Sequence, residues 1–349
     1  MRPTNGDLSE LLWRAGDEES AHRRRALQQA ARAARYWNEE ARDLAETGRS
    51  LTELRAVGPW VAARIHGWLD APPEIPEPDE TRRGFLTLAE VRRVLDAEPE
   101  WERMPHADLQ VHTTDSDGGF PLPEMAGFAR DLGRPFIAIT DHSKSLKIAN
   151  GMDEERLAEQ ILRVGELNEE LTAAGDAFRV LRSIEMDVFP DGSCDMEPEA
   201  LAPLDLVLGA FHSKLRIRED QTERYLAALR DPSVHVLAHP QARMYGRRTG
   251  LHADWPRVFA EAAARGKAVE LDATPARQDL GVELARIARA EGVRWFSVGS
   301  DAHTSFELEF LPFGLATAAL AGITRERILN YRTFAEVVAW GAELRAGSI

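Results

Sequence analysis

The sequence predicts a parallel α/β architecture preceded by a small all-helical domain. Three observations carry this. From residue 106 onward, seven short apolar runs alternate with stretches of helical periodicity, the pattern of strands joined by helical crossovers. Six of those runs are followed within three residues by His, Glu or an Asp-x-His pair, as where a βα fold presents its chemistry at the C-terminal ends of its strands. Residues 1–70 carry helical periodicity alone, and a proline-rich stretch separates the two parts.

In chain order, Leu8, Leu11 and Leu12 form a first apolar face. Ala26, Ala30, Ala33, Ala34, Trp37 and Ala41 continue a helical period over residues 21–46, stopped by Gly48. From Leu51 the sequence L-T-E-L-R-A-V-G-P-W-V-A-A-R-I-H-G-W-L reads as helix, tight V-G-P turn and helix, with Val61, Ile65 and Leu69 on one side. This is a helix-hairpin-helix pattern. Its turn and following helix N-terminus offer backbone N–H groups to a nucleic-acid phosphate without reading bases, with Val57, Gly58, Trp60 and Arg64 as the candidate DNA-binding residues. An ordinary αα-hairpin is the alternative. Residues 21–70 hold nine arginines against six acids, a mildly basic stretch that favours DNA contact. Residues 71–84 are rich in proline and charge and read as an extended linker. A short amphipathic helix over 85–100 completes a connecting segment, 71–105, before the main domain, 106–349.

The expected strands are Leu109–Val111, Phe136–Thr140, Arg179–Ile184, Leu206–Ala210, Val234–Ala238, Ala268–Leu271 and Trp295–Val298. Between them helical patterns cover Leu122–Leu132, Glu154–Ala174, Glu219–Leu229, Trp255–Arg265 and Gly281–Glu291. Thr333 is placed to cap a final apolar helix.

Composition narrows the class. At 349 residues with 44% hydrophobic and 29% charged residues, the chain is that of a globular protein. No apolar run approaches the roughly 18–20 residues that span a bilayer, and a terminus polar from residue 2 predicts no signal peptide. Cys194 is the only cysteine, so an internal disulfide is excluded and a reducing cytoplasm fits. A net charge of −15 argues against coating nucleic acid by bulk electrostatics.

The donors at the strand ends form the candidate site. They are His112 and Asp117, His142, Glu185, His212, His239, and finally Asp301 and His303. Imidazole and carboxylate without thiolate suit zinc, manganese or iron, and a shared carboxylate can bridge two ions. Such ions support hydrolysis by lowering the pKa of water and neutralising phosphoryl oxygens. Lys144 and Lys147 follow His142, and Arg243, Arg247 and Arg248 follow His239; these cations are placed to contact a phosphate. Asp115 and Asp117 have the spacing of a polymerase metal pair, but no glycine-serine nucleotide loop precedes them.

The motifs D-L-Q-V-H-T-T-D-S-D-G, I-T-D-H-S, I-E-M-D-V-F-P-D-G-S, F-H-S, L-A-H-P and G-S-D-A-H resemble those of the PHP (polymerase and histidinol phosphatase) phosphoesterase family. H-S-K-S-L-K-I-A-N-G-M and H-P-Q-A-R-M-Y-G-R-R are similar to the C-terminal PHP domain of bacterial family X DNA polymerases. Residues 5–70 resemble the helix-hairpin-helix domain of the same polymerases, with the polymerase body missing between. The resemblance covers roughly 103–345. It implies a distorted seven-stranded β/α barrel, a centre of up to three divalent ions, and exonuclease or phosphatase activity. Its ligand positions fall on the eight residues above and on Gln110, where the family usually has histidine. An amide oxygen is a weaker donor than imidazole, so one ion site is expected to be loosened. Some family X small domains act as lyases through a lysine. Here no lysine precedes Lys144 and Arg64 occupies the corresponding helix, so Schiff-base trapping on abasic DNA is expected to fail.

Three functions follow as expectations. The first is metal-dependent hydrolysis of phosphate esters at DNA ends or in short oligonucleotides, of 3′→5′ exonuclease or 3′-phosphatase type. Here Glu185 and Asp301 hold ions, and Lys144, Arg243 and Arg247 contact phosphate. The second is a phosphatase of small molecules such as histidinol phosphate or a nucleotide. The third is a non-catalytic DNA-repair scaffold, motivated by Gln110.

Overall fold

The computed structural model describes residues 2–347. Met1, Ser348 and Ile349, the outer ends of the expected domains, lie outside the described residues. The chain divides into two compact units, Met1–Glu98 and Pro99–Ile349.

The first unit is helical throughout its regular structure, with helices Asn5–Asp17, Ala21–Ala34, Ala41–Glu46, Pro59–Asp70 and Leu88–Ala97. Leu8, Leu11, Leu12, Leu27, Trp37, Leu44, Leu51 and Ile65 form its core. The helical period expected over 21–46 is broken in two. Trp37 turns inward and its indole N–H donates to the Arg55 carbonyl at 3.0 Å. Glu40 accepts from the Asn5 N–H at 2.7 Å, and Asn5 accepts from the Ala41 N–H at 2.9 Å. These bonds outcompete helix propensity between the two segments. In the hairpin, the expected first helix is a single 3-10 turn, Leu51–Glu53. Ala56 takes a left-handed φ of 63°, and Gly58 caps Pro59–Asp70. Val57, Val61, Ile65 and Leu69 are buried there. Trp60 is 38% exposed, with the guanidinium groups of Arg23 and Arg64 over its ring at 5.2 and 5.6 Å. Arg64 also pairs with Glu19 at 3.1 Å.

Residues 71–98 are part of this compact unit, which ends at Glu98. Arg82 grips Glu10 through Nε and Nη2 at 3.0 and 2.8 Å. The Leu88 N–H donates to the Arg35 carbonyl at 2.8 Å, and Thr87 and Glu90 form a reciprocal cap. Prolines make a segment extended, but anchoring depends on partners far away in sequence.

The second unit is built on seven parallel strands in sequential order. They are β1 (Asp108–Val111), β2 (Phe136–Ile139), β3 (Arg179–Asp187), β4 (Leu206–Ala210), β5 (Val236–Leu237), β6 (Ala268–Asp272) and β7 (Trp295–Gly299). A parallel bridge from Val111 to Ala302 joins the two ends of the sheet, and the His112 N–H donates to the Ala302 carbonyl at 2.8 Å. The result is a nearly closed barrel. Alternation gives each strand two cores: in β2, Phe136 and Ala138 face one cluster, Ile137 and Ile139 another. The first cluster takes Val337, Trp340 and Leu344 from the helix Phe334–Arg345, which Thr333 and Glu336 cap reciprocally. β3 runs three residues past its expected end, so Glu185 sits within the strand rather than after it. β5 is reduced to two residues. Among the described residues no helix is long and apolar enough to cross a membrane.

The self-contained core of the first unit predicts that residues 1–98, expressed alone, melt cooperatively. Leu27→Ala should lower that stability by about 2–5 kcal/mol, the cost of a cavity at a fully buried leucine. Thermal denaturation followed by circular dichroism checks both, and a broad, mutation-insensitive melt contradicts them.

Candidate metal centre

The C-terminal ends of the strands converge on Glu185. This carboxylate is fully buried, and both its oxygens meet imidazoles. Oε1 lies 2.6 Å from His239 Nε2 and 3.1 Å from His212 Nε2. Oε2 lies 3.0 Å from His142 Nδ1 and 3.5 Å from His112 Nε2. Asp301 Oδ1 approaches His112 Nε2 at 3.1 Å. Asp117 Oδ1 approaches His303 Nε2 at 3.2 Å and His142 Nε2 at 3.6 Å. The His112 ring stacks on His303 and tilts against His142, with centroids 4.3 and 4.5 Å apart. All eight expected donors therefore come together.

Within this cluster three groups have donor atoms within 4.8 Å of one another: His112, Asp117, His142 and His303; His142, Glu185 and His212; His112, Glu185 and Asp301. They share members, so one site grades into the next. The donors fit divalent cations on their own chemistry. Both ring nitrogens of His112, His142 Nδ1, His212 Nε2 and Glu185 Oε2 are buried and have no hydrogen-bond partner among the described residues. Buried polar atoms left in this way are costly unless something charged meets them. Cys194 stands outside these groups, and burial pushes its thiol pKa up.

The electrostatics are those of mutual stabilisation. Burial alone would raise the pKa of Glu185, but His142, His212 and His239 hold it well below the usual carboxylate range. Burial opposes charge on His212, yet Glu185 and Asp187 raise its pKa to about 9. Burial likewise opposes charge on His303, yet Asp117 and Asp301 raise it to about 10. His112 is pushed down by burial and by the neighbouring His142 and His303.

A supporting layer, which the sequence did not disclose, fixes these donors. Asp141 accepts from the Thr113 N–H and hydroxyl at 2.8 and 2.6 Å and from the Ser116 N–H and hydroxyl at 3.2 and 2.5 Å. That network shapes the loop from His112 to Asp117. Gly118 closes it, because a Cβ there would lie 2.6 Å from the Thr113 nitrogen and 2.7 Å from the His112 carbonyl carbon. Asp187 receives the His212 N–H at 3.2 Å. Asp301 has a left-handed φ of 53°, and its carbonyl lies 2.8 Å from His303 Nδ1. Only the aspartate preceding His142 hinted at this layer.

The remaining expected residues fall elsewhere. Gln110 is fully buried, and its amide end faces Glu270, to which it donates at 2.5 and 3.0 Å when the amide is oriented with nitrogen toward the two carboxyl oxygens. Lys144 pairs with Glu154 at 2.5 Å. Arg243 is buried and donates from Nε to the Arg277 and Gln278 carbonyls at 3.0 and 3.1 Å, so it braces the loop after β6. Arg247 is exposed. Asp115 is taken by Arg163 at 2.6 Å, away from any metal pair. The sequence reading missed Arg277, whose Nη1 lies 3.2 Å from Asp301 Oδ2.

No family model matches the chain. Among curated proteins, it is 34% identical over 273 residues to the DNA polymerase/3′-5′ exonuclease PolX of Bacillus subtilis, covering 77% of this chain and 45% of that protein. The chain thus spans less than half the length of PolX. A probable phosphatase of Acetivibrio thermocellus is 29% identical, over 58% of this chain and 80% of its own. The probable phosphatase YcdX of Escherichia coli is 26% identical, over 64% and 89%. Taken with the nearly closed seven-stranded barrel and the assembled donor set, these similarities support a PHP-family phosphoesterase resembling the PHP domain of PolX.

Proposed function

We propose that this chain hydrolyses phosphate esters at DNA ends or in short oligonucleotides, as a 3′→5′ exonuclease or 3′-phosphatase acting in DNA repair. The observation that carries the reading is Glu185, one carboxylate shared by four imidazoles and by two of the three donor groups. Divalent ions held there, manganese, zinc or iron, supply activated water and neutralise phosphoryl oxygens. The protein's own part is to position. Glu185, Asp301 and Asp117 supply carboxylates, and His112, His142, His212, His239 and His303 supply imidazoles. Lys144 and Arg247, the cations that follow His142 and His239 in sequence, are assigned the phosphate contacts. The similarity to PolX supports a DNA substrate, as does the hairpin at Val57 and Gly58 with Trp60 exposed and Arg64 beside it.

A small-molecule phosphatase is the second reading. It is supported by the probable phosphatases, which align along most of their own length, and by the charge of −15. The scaffold reading is opposed by the assembly of all eight donors.

End-labelled DNA and p-nitrophenyl phosphate, each with Mn2+, separate the first two. Removing residues 1–98 should weaken oligonucleotide binding by roughly tenfold and flatten its salt dependence. Turnover of the small ester alone, indifferent to that deletion, moves the assignment to the second reading.

Gln110 is spent on Glu270, so we propose that one of up to three ion sites is weak. Gln110→His should raise bound metal by about one ion per chain after dialysis against Mn2+ or Zn2+. Equal metal content in both proteins rejects this.

Protons compete with the ions. Before an ion binds, His212 at about 9 and His303 at about 10 are protonated at neutral pH, and each must lose its proton to ligate. Affinity should therefore rise with pH through this range and fall toward acid, with about two protons released at neutral pH. Calorimetry in buffers of different ionisation enthalpy measures that release, and none at all contradicts the assignment.

A further inference from the structure

Of the three donor groups, His112, Glu185 and Asp301 form the fully buried one. It is also the one with a protein cation against it. Asp301 turns Oδ1 toward His112 Nε2 at 3.1 Å and Oδ2 toward Arg277 Nη1 at 3.2 Å. The same Nη1 lies 3.8 Å from Asp272 Oδ2, a buried oxygen with no hydrogen-bond partner among the described residues. One guanidinium thus stands between two acids whose side chains are 0% and 4% exposed. By contrast, Asp117, the carboxylate of the group with His112, His142 and His303, meets only imidazoles as charged partners among the described residues.

Arg277 is held in that place by its backbone. Its N–H donates to the Thr274 carbonyl at 2.8 Å, and its own carbonyl accepts from Arg243 Nε at 3.0 Å. The Thr274 hydroxyl donates to the Ser300 carbonyl at 3.1 Å, which ties this turn to the residue before Asp301. Gln110, two residues before His112 in β1, turns its amide to Glu270 and adds no donor to the group. The group therefore has three donors, shares Glu185 with its neighbour, and lends one oxygen of its other carboxylate to an arginine. A divalent ion entering it meets a fixed positive charge on its own ligand, and like charges repel strongly where water is excluded. A guanidinium is charged at every working pH and matches carboxylate geometry. It neutralises the acids as an ion would, but activates no water.

We propose that Arg277 is a resident cation that takes the place of an ion at His112, Glu185 and Asp301, so that the centre works with two ions and one arginine. Arg243, which follows His239, is a positioning residue for it and acts through the Arg277 backbone. This rests on the metal-centre reading above and identifies which of its sites is given up.

The test counts Mn2+ on the whole chain by elemental analysis after dialysis and measures its affinity by calorimetry. Wild type should hold about two ions per chain. Arg277→Gln keeps a hydrogen-bond donor for Asp301 and removes the charge. It should take up a third ion, bound about tenfold or more tighter than any third ion in wild type. Arg277→Lys keeps the charge and should stay at the wild-type count, whereas a merely structural role predicts fewer ions in both variants. Asp301→Asn alters a donor that belongs to this group alone, so it should leave the count unchanged, and it decides the matter if Arg277→Gln does not fold. No gain of an ion in folded Arg277→Gln, a loss of one in Asp301→Asn, or three ions of like affinity in wild type each overturn the proposal. Ion counts as expected without turnover of p-nitrophenyl phosphate reject the phosphoesterase reading and leave the arginine's role standing. A wild type that binds no Mn2+ rejects the metal centre and this proposal with it.

Discussion

Glu185 is a fully buried carboxylate with an imidazole nitrogen within 3.5 Å in four directions. A bare carboxylate in such a place costs several kcal/mol of lost hydration. Here the histidines offset that cost, and the pKa of His212 rises in response. The interaction is made by five separate stretches of chain, ending β1 to β5. It therefore exists only when the strands take their order and register. The barrel places Glu185, and the charge balance around Glu185 favours the closed barrel.

The next layer keeps the donors from collapsing onto one another. Asp141 draws Thr113 and Ser116 inward, which turns Asp117 to face His142 and His303. Gln160 donates to the same aspartate at 2.7 Å, anchoring the loop to the long helix Glu154–Ala173. Gly118 is required because the backbone returns on itself there. Thus the opening motif, read first as a ligand-bearing strand, is equally a rigid turn. Its aspartates divide the work: Asp117 faces the centre, and Asp115 pairs with Arg163.

What the sequence disclosed and what it hid follow from the range of the physics. The strands were legible because alternation of Phe136, Ile137, Ala138 and Ile139 between two cores needs only local burial. The eight donors were legible because imidazole and carboxylate at consecutive strand ends have a chemical meaning before their distances are known. Arg277 was hidden, because its meaning depends on Asp301 arriving opposite it from another strand end. Arg82 was hidden likewise: an arginine in a proline-rich stretch looks solvated until Glu10 is placed beside it. Lys144 and Arg243 were legible as cations, but their partners, Glu154 and two backbone carbonyls, were set by tertiary packing.

β6 gives Gln110 its physical sense. It is the one strand from which no metal ligand was expected, and it carries two fully buried acids, Glu270 and Asp272. Burial, and then the repulsion between them, raises the carboxyl pKa of Glu270 well above its usual range. Gln110 supplies amide N–H donors to that carboxyl, and the His239 N–H supplies another at 2.7 Å. Gly299 leaves room for the pair, since a Cβ there would stand 2.5 Å from both Gln110 Cβ and Glu270 Oε1. A neutral amide satisfies a buried carboxyl whether or not an ion is nearby, whereas a histidine at 110 would add a titratable group to a cluster already rich in them. The junction of β1, β6 and β7 is thereby held by neutral donors, while Glu185 gathers the four imidazoles that follow β1, β2, β4 and β5.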